Sequence, residues 1–287
     1  MKIVIAIIIV LFYWGSLNGQ SLPDSIETYS MKDFNRIMKR KGTEQVKKLH
    51  FFSLSPPKSA SKLKKFKNII ELYVYSEDFE CLPDIFGEFK QLKRISMGWS
   101  KKIKLFELFN VLAKADSLEE LVITGSDIGE IPANISKLKN LKRLNLVDNK
   151  IIFLPEGIRD LTNLNVLRLN YNPINFDSLA VLIKTLKNID KLDLGDCGLS
   201  KWPSDMKCLE SVVELYLGRN KFTCIPDEII YLKNLEFLYV GANIDTITDK
   251  IVQMINLKLL KIIGNPIAHT ERIEYLKTQM PHCMILQ

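Results

Sequence analysis

Residues 141–163 read Leu-Lys-Arg-Leu-Asn-Leu-Val-Asp-Asn-Lys-Ile-Ile-Phe-Leu-Pro-Glu-Gly-Ile-Arg-Asp-Leu-Thr-Asn. Apolar side chains stand at Leu141, Leu144, Leu146, Ile151, Leu154, Ile158 and Leu161, with Asn149 and Pro155 among them. Moving on by 23 residues brings back Leu164, Leu167, Leu169, Asn172 and Ile174. The same template fits Val212, Leu215, Leu217, Asn220, Phe222, Ile225, Pro226, Ile229 and Leu232. It also fits Leu118 to Leu138 and Ile69 to Phe89. Ten units can be placed, starting at Val46, Ile69, Leu92, Leu118, Leu141, Leu164, Ile189, Val212, Leu235 and Leu257. Self-similarity at such a period is the mark of a stacked-repeat architecture.

Each position in the unit has a physical reading. The alternation at Leu144 and Leu146 makes a short strand with leucines on one face. Asn149, Asn172, Asn220, Asn243 and Asn265 come where the chain leaves that strand. An amide there can bond backbone groups of its own turn and of the neighbouring unit, satisfying polar groups that strands no longer pair. Cys197 and Ser126 are small stand-ins at this position, while Leu54 and Glu77 break the series. Proline at 83, 132, 155 and 226 fixes a turn and opens a short helical stretch. Two units are longer. Ile103, Phe106, Phe109 and Leu112 share a face in one insert, and Phe176, Leu179, Leu182, Ile183 and Leu186 in the other. A single unit buries too few side chains to offset the entropy of ordering its backbone, so units are stable only when stacked.

The pattern LxxLxLxxNxLxxLPxxIxxLxN resembles the 23-residue leucine-rich repeats of Ras-suppressor-like and plant disease-resistance-like proteins, and similar repeats in bacterial secreted proteins. The resemblance covers residues 46–287. It implies an α/β fold, a leucine-rich-repeat solenoid with a curved parallel sheet on the concave side. Short helices or 3-10 turns would line the convex side. It is specific for fold and nearly silent about function.

Three segments make up the chain: 1–19, 20–45 and the solenoid of 46–287, which includes its C-terminal cap. Lys2, the apolar run from Ile3 to Trp14 and the small residues up to Gly19 have the anatomy of a secretory signal peptide. The expected location is therefore secreted, periplasmic or at the cell surface. An uncleaved membrane anchor is the alternative. Ser21 to Gly42 reads as a helical cap, with Asp24 and Glu27 spaced as a capping box and Ile26, Tyr29, Phe34, Ile37 and Met38 on one face. The five cysteines, at 81, 197, 208, 224 and 283, show neither disulfide nor zinc spacing and read as buried thiols.

Between the inward leucines lie residues expected on the concave face. Phe52, Tyr73, Tyr75 and Trp99 form one aromatic group there, and Tyr216, Phe237 and Tyr239 another. Arg168 and Tyr171 lie between them. Aromatic residues and arginine dominate binding hot spots, so a protein or peptide partner on this face is expected. The net charge of +7 is concentrated. Residues 31–67 hold 12 basic side chains against Asp33 and Glu44, and the rest of the chain after residue 19 is net negative. Lys39, Arg40, Lys41, Lys47 and Lys48, with Lys62, Lys64, Lys65 and Lys67, are candidates for docking on an anionic envelope surface.

His50, His269 and His282 stand in no nucleophile or metal motif, and no phosphate-binding loop, nucleophile elbow or HExxH occurs. The sequence thus calls for no enzyme activity, cofactor, metal or nucleic acid. Its leading expectation is an exported, non-catalytic protein-binding scaffold. An envelope-attachment protein using the basic cap is the second reading. A cytosolic signalling scaffold is the third, if residues 1–19 are not an export signal.

Overall fold

The computed structural model describes residues 24–28, 31–39, 41–53, 56, 63–241 and 243–287. The proposed signal segment, Tyr29, Arg40, Leu54 and Lys62 lie outside them. The strands are β1 (Ser25–Thr28), β2 (Lys48–Phe52), β3 (Glu71–Tyr75), β4 (Arg94–Gly98), β5 (Glu120–Thr124), β6 (Arg143–Asn145) and β7 (Val166–Arg168). They continue with β8 (Lys191–Asp193), β9 (Glu214–Leu217), β10 (Cys224–Ile225), β11 (Phe237–Val240), β12 (Thr246–Ile247), β13 (Leu259–Lys261) and β14 (Met284–Leu286). Twelve of these form one parallel sheet in chain order, and β10 pairs with β12 beside it.

Register is set by the inward leucines. Ile26, Leu49, Leu72, Ile95, Leu121 and Leu144 stand opposite one another in turn, and Leu167, Leu192, Leu215, Leu238, Leu260 and Ile285 continue the row. A slip of one residue would turn every leucine into water, so burial on one face fixes the pairing. The first residue of each of the ten units is buried as well.

The sequence pointed to ten strands; the described sheet has two more, one at each end. The last, β14, closes the sheet after the tenth repeat by pairing with β13. The first is a correction. Residues 25–28 are extended, not helical, and Asp24 and Glu27 form no capping box. The open edge of β2 decides this. Lys47 and Lys48 donate to the Asp24 carbonyl at 2.7 and 2.9 Å, and Ile26 falls in register with Leu49. Paired backbone and a buried Ile26 outweigh a weak local helix signal. The cap helix, α1 (Met31–Ile37), follows and sends Phe34 against Phe51 and Phe66, with ring centroids 5.7 and 6.2 Å apart.

On the convex side, 3-10 turns stack repeat upon repeat: Asp84–Glu88, Ala133–Lys137, Glu156–Asp160 and Asp227–Tyr231, each opened by the proline foreseen. The inserts form α2 (Leu105–Leu112) and α3 (Phe176–Ile183). In α3 the buried face includes Phe176, Leu179, Leu182 and Ile183 as expected, and the Asn175 side chain caps it by accepting from Ser178 N. In α2 the buried face is Leu105, Leu108, Phe109 and Leu112, while Phe106 is 57% exposed. The reading that placed Phe106 inward followed a spacing of three, which drifts off one face of a helix with 3.6 residues per turn. A last helix, α4 (Glu271–Gln279), leads into β14.

Asparagine organises two sides of the coil. Asn172 accepts from Asn149 N and Ile151 N, each at 2.9 Å, and donates to the carbonyls of Leu146 and Leu169. Asn220 does the same for Cys197, Leu199, Leu194 and Leu217. Asn149 and Asn265 complete the buried ladder. Asn243 does not belong to it. Its side chain is exposed and makes one bond, to Asn220 O at 3.3 Å. One residue separates each ladder asparagine from the next inward side chain, namely Lys150, Pro173, Lys221 or Pro266. None separates Asn243 from Ile244. Without it the turn cannot tuck the amide in and still bury Ile244.

Ser100, by contrast, was not foreseen. Its buried hydroxyl bonds the carbonyls of Glu77 and Phe79 at the position Asn149 holds in its own unit. A second, exposed series closes the other end of each repeat: Asn140, Asn163, Asn188, Asn234 and Asn256 each donate to a carbonyl of the preceding repeat at 2.7–2.9 Å. The five cysteines are free thiols, with Cys197, Cys208 and Cys283 buried.

Candidate functional site

Strand alternation sends every second side chain out of the sheet's open face, so residues two, four and six after each unit start form three rows across the strands. The row at position two runs Lys48, Glu71, Arg94, Glu120, Arg143 with alternating sign. Lys48 meets Glu71 at 2.9 Å, and Glu120 takes Arg94 at 3.1 Å and Arg143 at 3.0 Å. Further along, Lys191 meets Glu214 at 2.6 Å. This charge row was not foreseen, yet it is legible in the sequence as a sign alternation at a fixed repeat position.

The other two rows, with Trp99 one residue beyond the last of them, carry the first aromatic group. Phe52, Tyr75 and Trp99 follow one another across three repeats, with centroids 6.2 and 5.0 Å apart. His50 stacks on Tyr73 at 4.2 Å with planes 7° apart, and Arg94 lies over the other side of the group, 5.9 Å from the Tyr73 centroid. Phe52, Tyr73 and Tyr75 are half-buried by one another, and Trp99 at the end of the stack is 57% exposed. Gly98 makes room here: a Cβ on it would come within 2.6 Å of the Thr124 carbonyl. The Tyr73 hydroxyl donates to Glu71. Burial and that hydrogen bond push the phenol up to about 12. Burial would raise Glu71, but bonds from Tyr73 and Lys48 outweigh it and hold the carboxyl below its ordinary range. Burial lowers His50 from its ordinary value.

The second group is built differently. Tyr216, Phe237 and Tyr239 are half-buried, and lysines cover the tyrosines. Lys191 Nζ is 4.5 Å from the Tyr216 centroid, and Lys261 Nζ is 4.7 Å from that of Tyr239. Tyr239 leans over Gly218, where a Cβ would stand 2.6 Å from its ring. Between the groups lies an open depression of about 350 Å³ lined by Asn145, Val147, Arg168, Asn170, Lys191, Asp193 and Tyr216. Arg168 is exposed on its rim. Burial raises Asp193, whose carboxylate accepts from Gly195 N at 3.1 Å. Tyr171, 47% exposed, takes a hydrogen bond from Arg219 at 3.2 Å across two repeats.

Of the basic candidates, Lys39, Lys41, Lys47, Lys64, Lys65 and Lys67 are exposed, while Lys48 is committed to Glu71. Lys65 donates to Met38 O at 3.1 Å, which ties the first repeat to the cap. Among the described residues, no group of three or more His, Cys, Asp or Glu side chains is placed to hold a metal ion. Nor is any helix among them long and apolar enough to cross a membrane.

A leucine rich repeat family model matches residues 116–174. No curated protein matches by sequence. Among solved structures, Toll of Drosophila in complex with Spätzle aligns over 86% of this chain and 41% of its own, at 17% identity and a TM-score of 0.60. This chain therefore spans less than half of that relative's length. An internalin from Listeria monocytogenes aligns over 85% of this chain and 72% of its own, at 15% identity and a TM-score of 0.54. At such identities the likeness concerns the fold alone. The repeat, its register and the match at residues 116–174 agree, and the chain folds as a leucine-rich-repeat solenoid.

Proposed function

We propose that the chain is a non-catalytic scaffold that takes a protein or peptide partner on the open face of its sheet. The observation that carries this is the stack of Phe52, Tyr75 and Trp99 beside His50 and Tyr73, left facing solvent next to the paired charges of Lys48 with Glu71 and Arg94 with Glu120. Contiguous aromatic surface of this kind is uncommon unless it contacts something. Rigid aromatic rings also bind at low entropic cost. Toll, whose fold is similar, forms a complex with Spätzle. Replacing Tyr73 and Trp99 together by alanine should abolish capture of a partner from source material while the circular dichroism spectrum stays unchanged. Undiminished capture would move the site off this face. Export through residues 1–19 belongs to the same reading, and fractionation checks it: deletion of that segment should keep the protein inside the cell.

A second reading is favoured by the exposed lysines of the N-terminal end. Lys39, Lys41, Lys47, Lys64 and Lys67 stand in solvent on one cap and first repeat, and such clusters attract anionic surfaces. Binding to phosphatidylserine vesicles should be present at low salt and fall as salt rises. Absence of binding at low salt ends it.

A further inference from the structure

In eight of the ten repeats the seventh residue after the unit start is held in left-handed backbone. Its φ is 56° at Ser53, 67° at Trp99, 58° at Gly125, 57° at Asp148, 60° at Tyr171, 54° at Asp196, 56° at Arg219 and 74° at Gly264. One cause explains the series. The N–H of this residue still bonds the next repeat, as Trp99 does to Thr124 O, Tyr171 to Gly195 O and Arg219 to Gly241 O, each at 3.0 Å. The following residue must then swing inward to the ladder position held by Ser100, Asn172 or Asn220. A reversed φ makes that turn. Glycine adopts it freely and aspartate at small cost, whereas a bulky side chain sets its Cβ against the backbone. Gly125 and Gly264 show the unstrained solution in this chain; Trp99, Tyr171 and Arg219 depart from it.

Packing does not explain the departure. Trp99 and Tyr171 are 57% and 47% exposed, and Arg219 is exposed too. Trp99 tilts against Tyr75 and lies over Gly125, where a Cβ would come within 3.1 Å of its ring. Arg219 reaches the Tyr171 hydroxyl at 3.2 Å. These contacts hold the side chains upright along the rim of the sheet without burying them. Backbone strain kept at exposed, bulky side chains points to use of those side chains.

We propose that Trp99 and Tyr171 are specificity-determining contacts of the sheet face, and that the partner segment lying against Trp99 is apolar. This rests on the binding role proposed above. The apolar character follows from charge. Beside the aromatic stack, Lys48 is closed by Glu71, and Arg94 and Arg143 by Glu120. An anionic partner group there would lose its water and find Lys48, Arg94 and Arg143 already paired, whereas the exposed Trp99 ring offers apolar surface.

The test selects phage-displayed random peptides on the immobilised full chain, and measures binding and melting for Trp99→Gly and Tyr171→Gly. Peptides chosen on the wild type should be rich in aliphatic and aromatic residues. They should bind Trp99→Gly at least about tenfold more weakly. Both glycine variants should melt no more than about 4 °C below the wild type, or above it. A larger fall would mean that these side chains support the fold, and would overturn the proposal. So would undiminished binding to both variants, or selected peptides rich in charge. If no peptide is enriched on the wild type, the binding role of the face fails, and this inference with it.

Discussion

Individual side chains in this solenoid differ sharply in what they support, even within one sequence position. Asn172 satisfies two N–H groups and two carbonyls of adjacent repeats, whereas Asn243 makes one long bond from an exposed side chain. Asn172→Ala should therefore cost about 1–3 kcal/mol by leaving buried backbone groups unpaired. Asn243→Ala should stay within about 0.5 kcal/mol of the wild type. Urea titration of both measures the difference, and equal losses would refute the distinction. Cys197 fills a ladder position with a thiol that donates to Leu169 O at 3.3 Å. Burial pushes that thiol up to about 11, so it should resist alkylation in the folded chain at neutral pH and react only on unfolding. His50 offers a pH test. Burial lowers its folded value below 6.5, the value it regains when unfolded. Between the two the unfolded chain binds more protons, so stability is lost as pH falls below about 6.5. His50→Phe keeps the stack on Tyr73 and should remove that part of the acid sensitivity. Identical urea midpoints against pH for both proteins would contradict it.

Elements here are held by close approach as much as by burial. The 3-10 turn at Glu156–Asp160 sits on the one at Ala133–Lys137, and a Cβ added to Gly157 would stand 2.3 Å from the Ala133 carbonyl. Gly157→Ala should therefore destabilise by about 1–3 kcal/mol, since the turns must move apart. A melting curve unchanged from the wild type would show that the stack is looser than this. The N-terminal elements are built on other means. Their ladder is thin, with Glu77 exposed at its position and Ser100 standing in, and their interior is filled by phenylalanine. Phe34, Phe51, Phe66, Phe79 and Phe86 are all fully buried. Aromatic bulk there takes over part of the work that stacked amides do further along.

At the scale of the whole molecule, each strand of the sheet pairs only with its neighbours in the chain, so stability is local and additive along the array. The strands β6 to β9 have neighbours on both sides and the ladder residues Asn149, Asn172 and Asn220 behind them. Their amides should exchange most slowly, with protection falling toward β1 and β14. Fastest exchange in the central strands would rule out this nearest-neighbour description. Twelve strands at the usual interstrand spacing give a sheet roughly 53 Å long, enough for a partner to meet both aromatic groups and the depression between them.

The sequence alone determined the period, the inward leucines, the turn prolines and most of the ladder. These follow from side-chain type recurring at fixed spacing, and spacing is what a repeat imposes. It also determined which residues face outward, because a strand alternates. Tertiary structure decided what spacing does not encode. The edge of β2 turned Ser25–Thr28 into a strand, because an unpaired sheet edge offers hydrogen bonds that a local helix signal cannot match. One missing residue put Asn243 outside the ladder, because burying an amide depends on turn geometry and not on residue type. The rings of Phe52, Tyr75 and Trp99 became a single stack, and Trp99 and Tyr171 left-handed posts along the rim of the sheet. Both arise only when neighbouring repeats are brought within a few ångströms of one another, and no single repeat contains that contact.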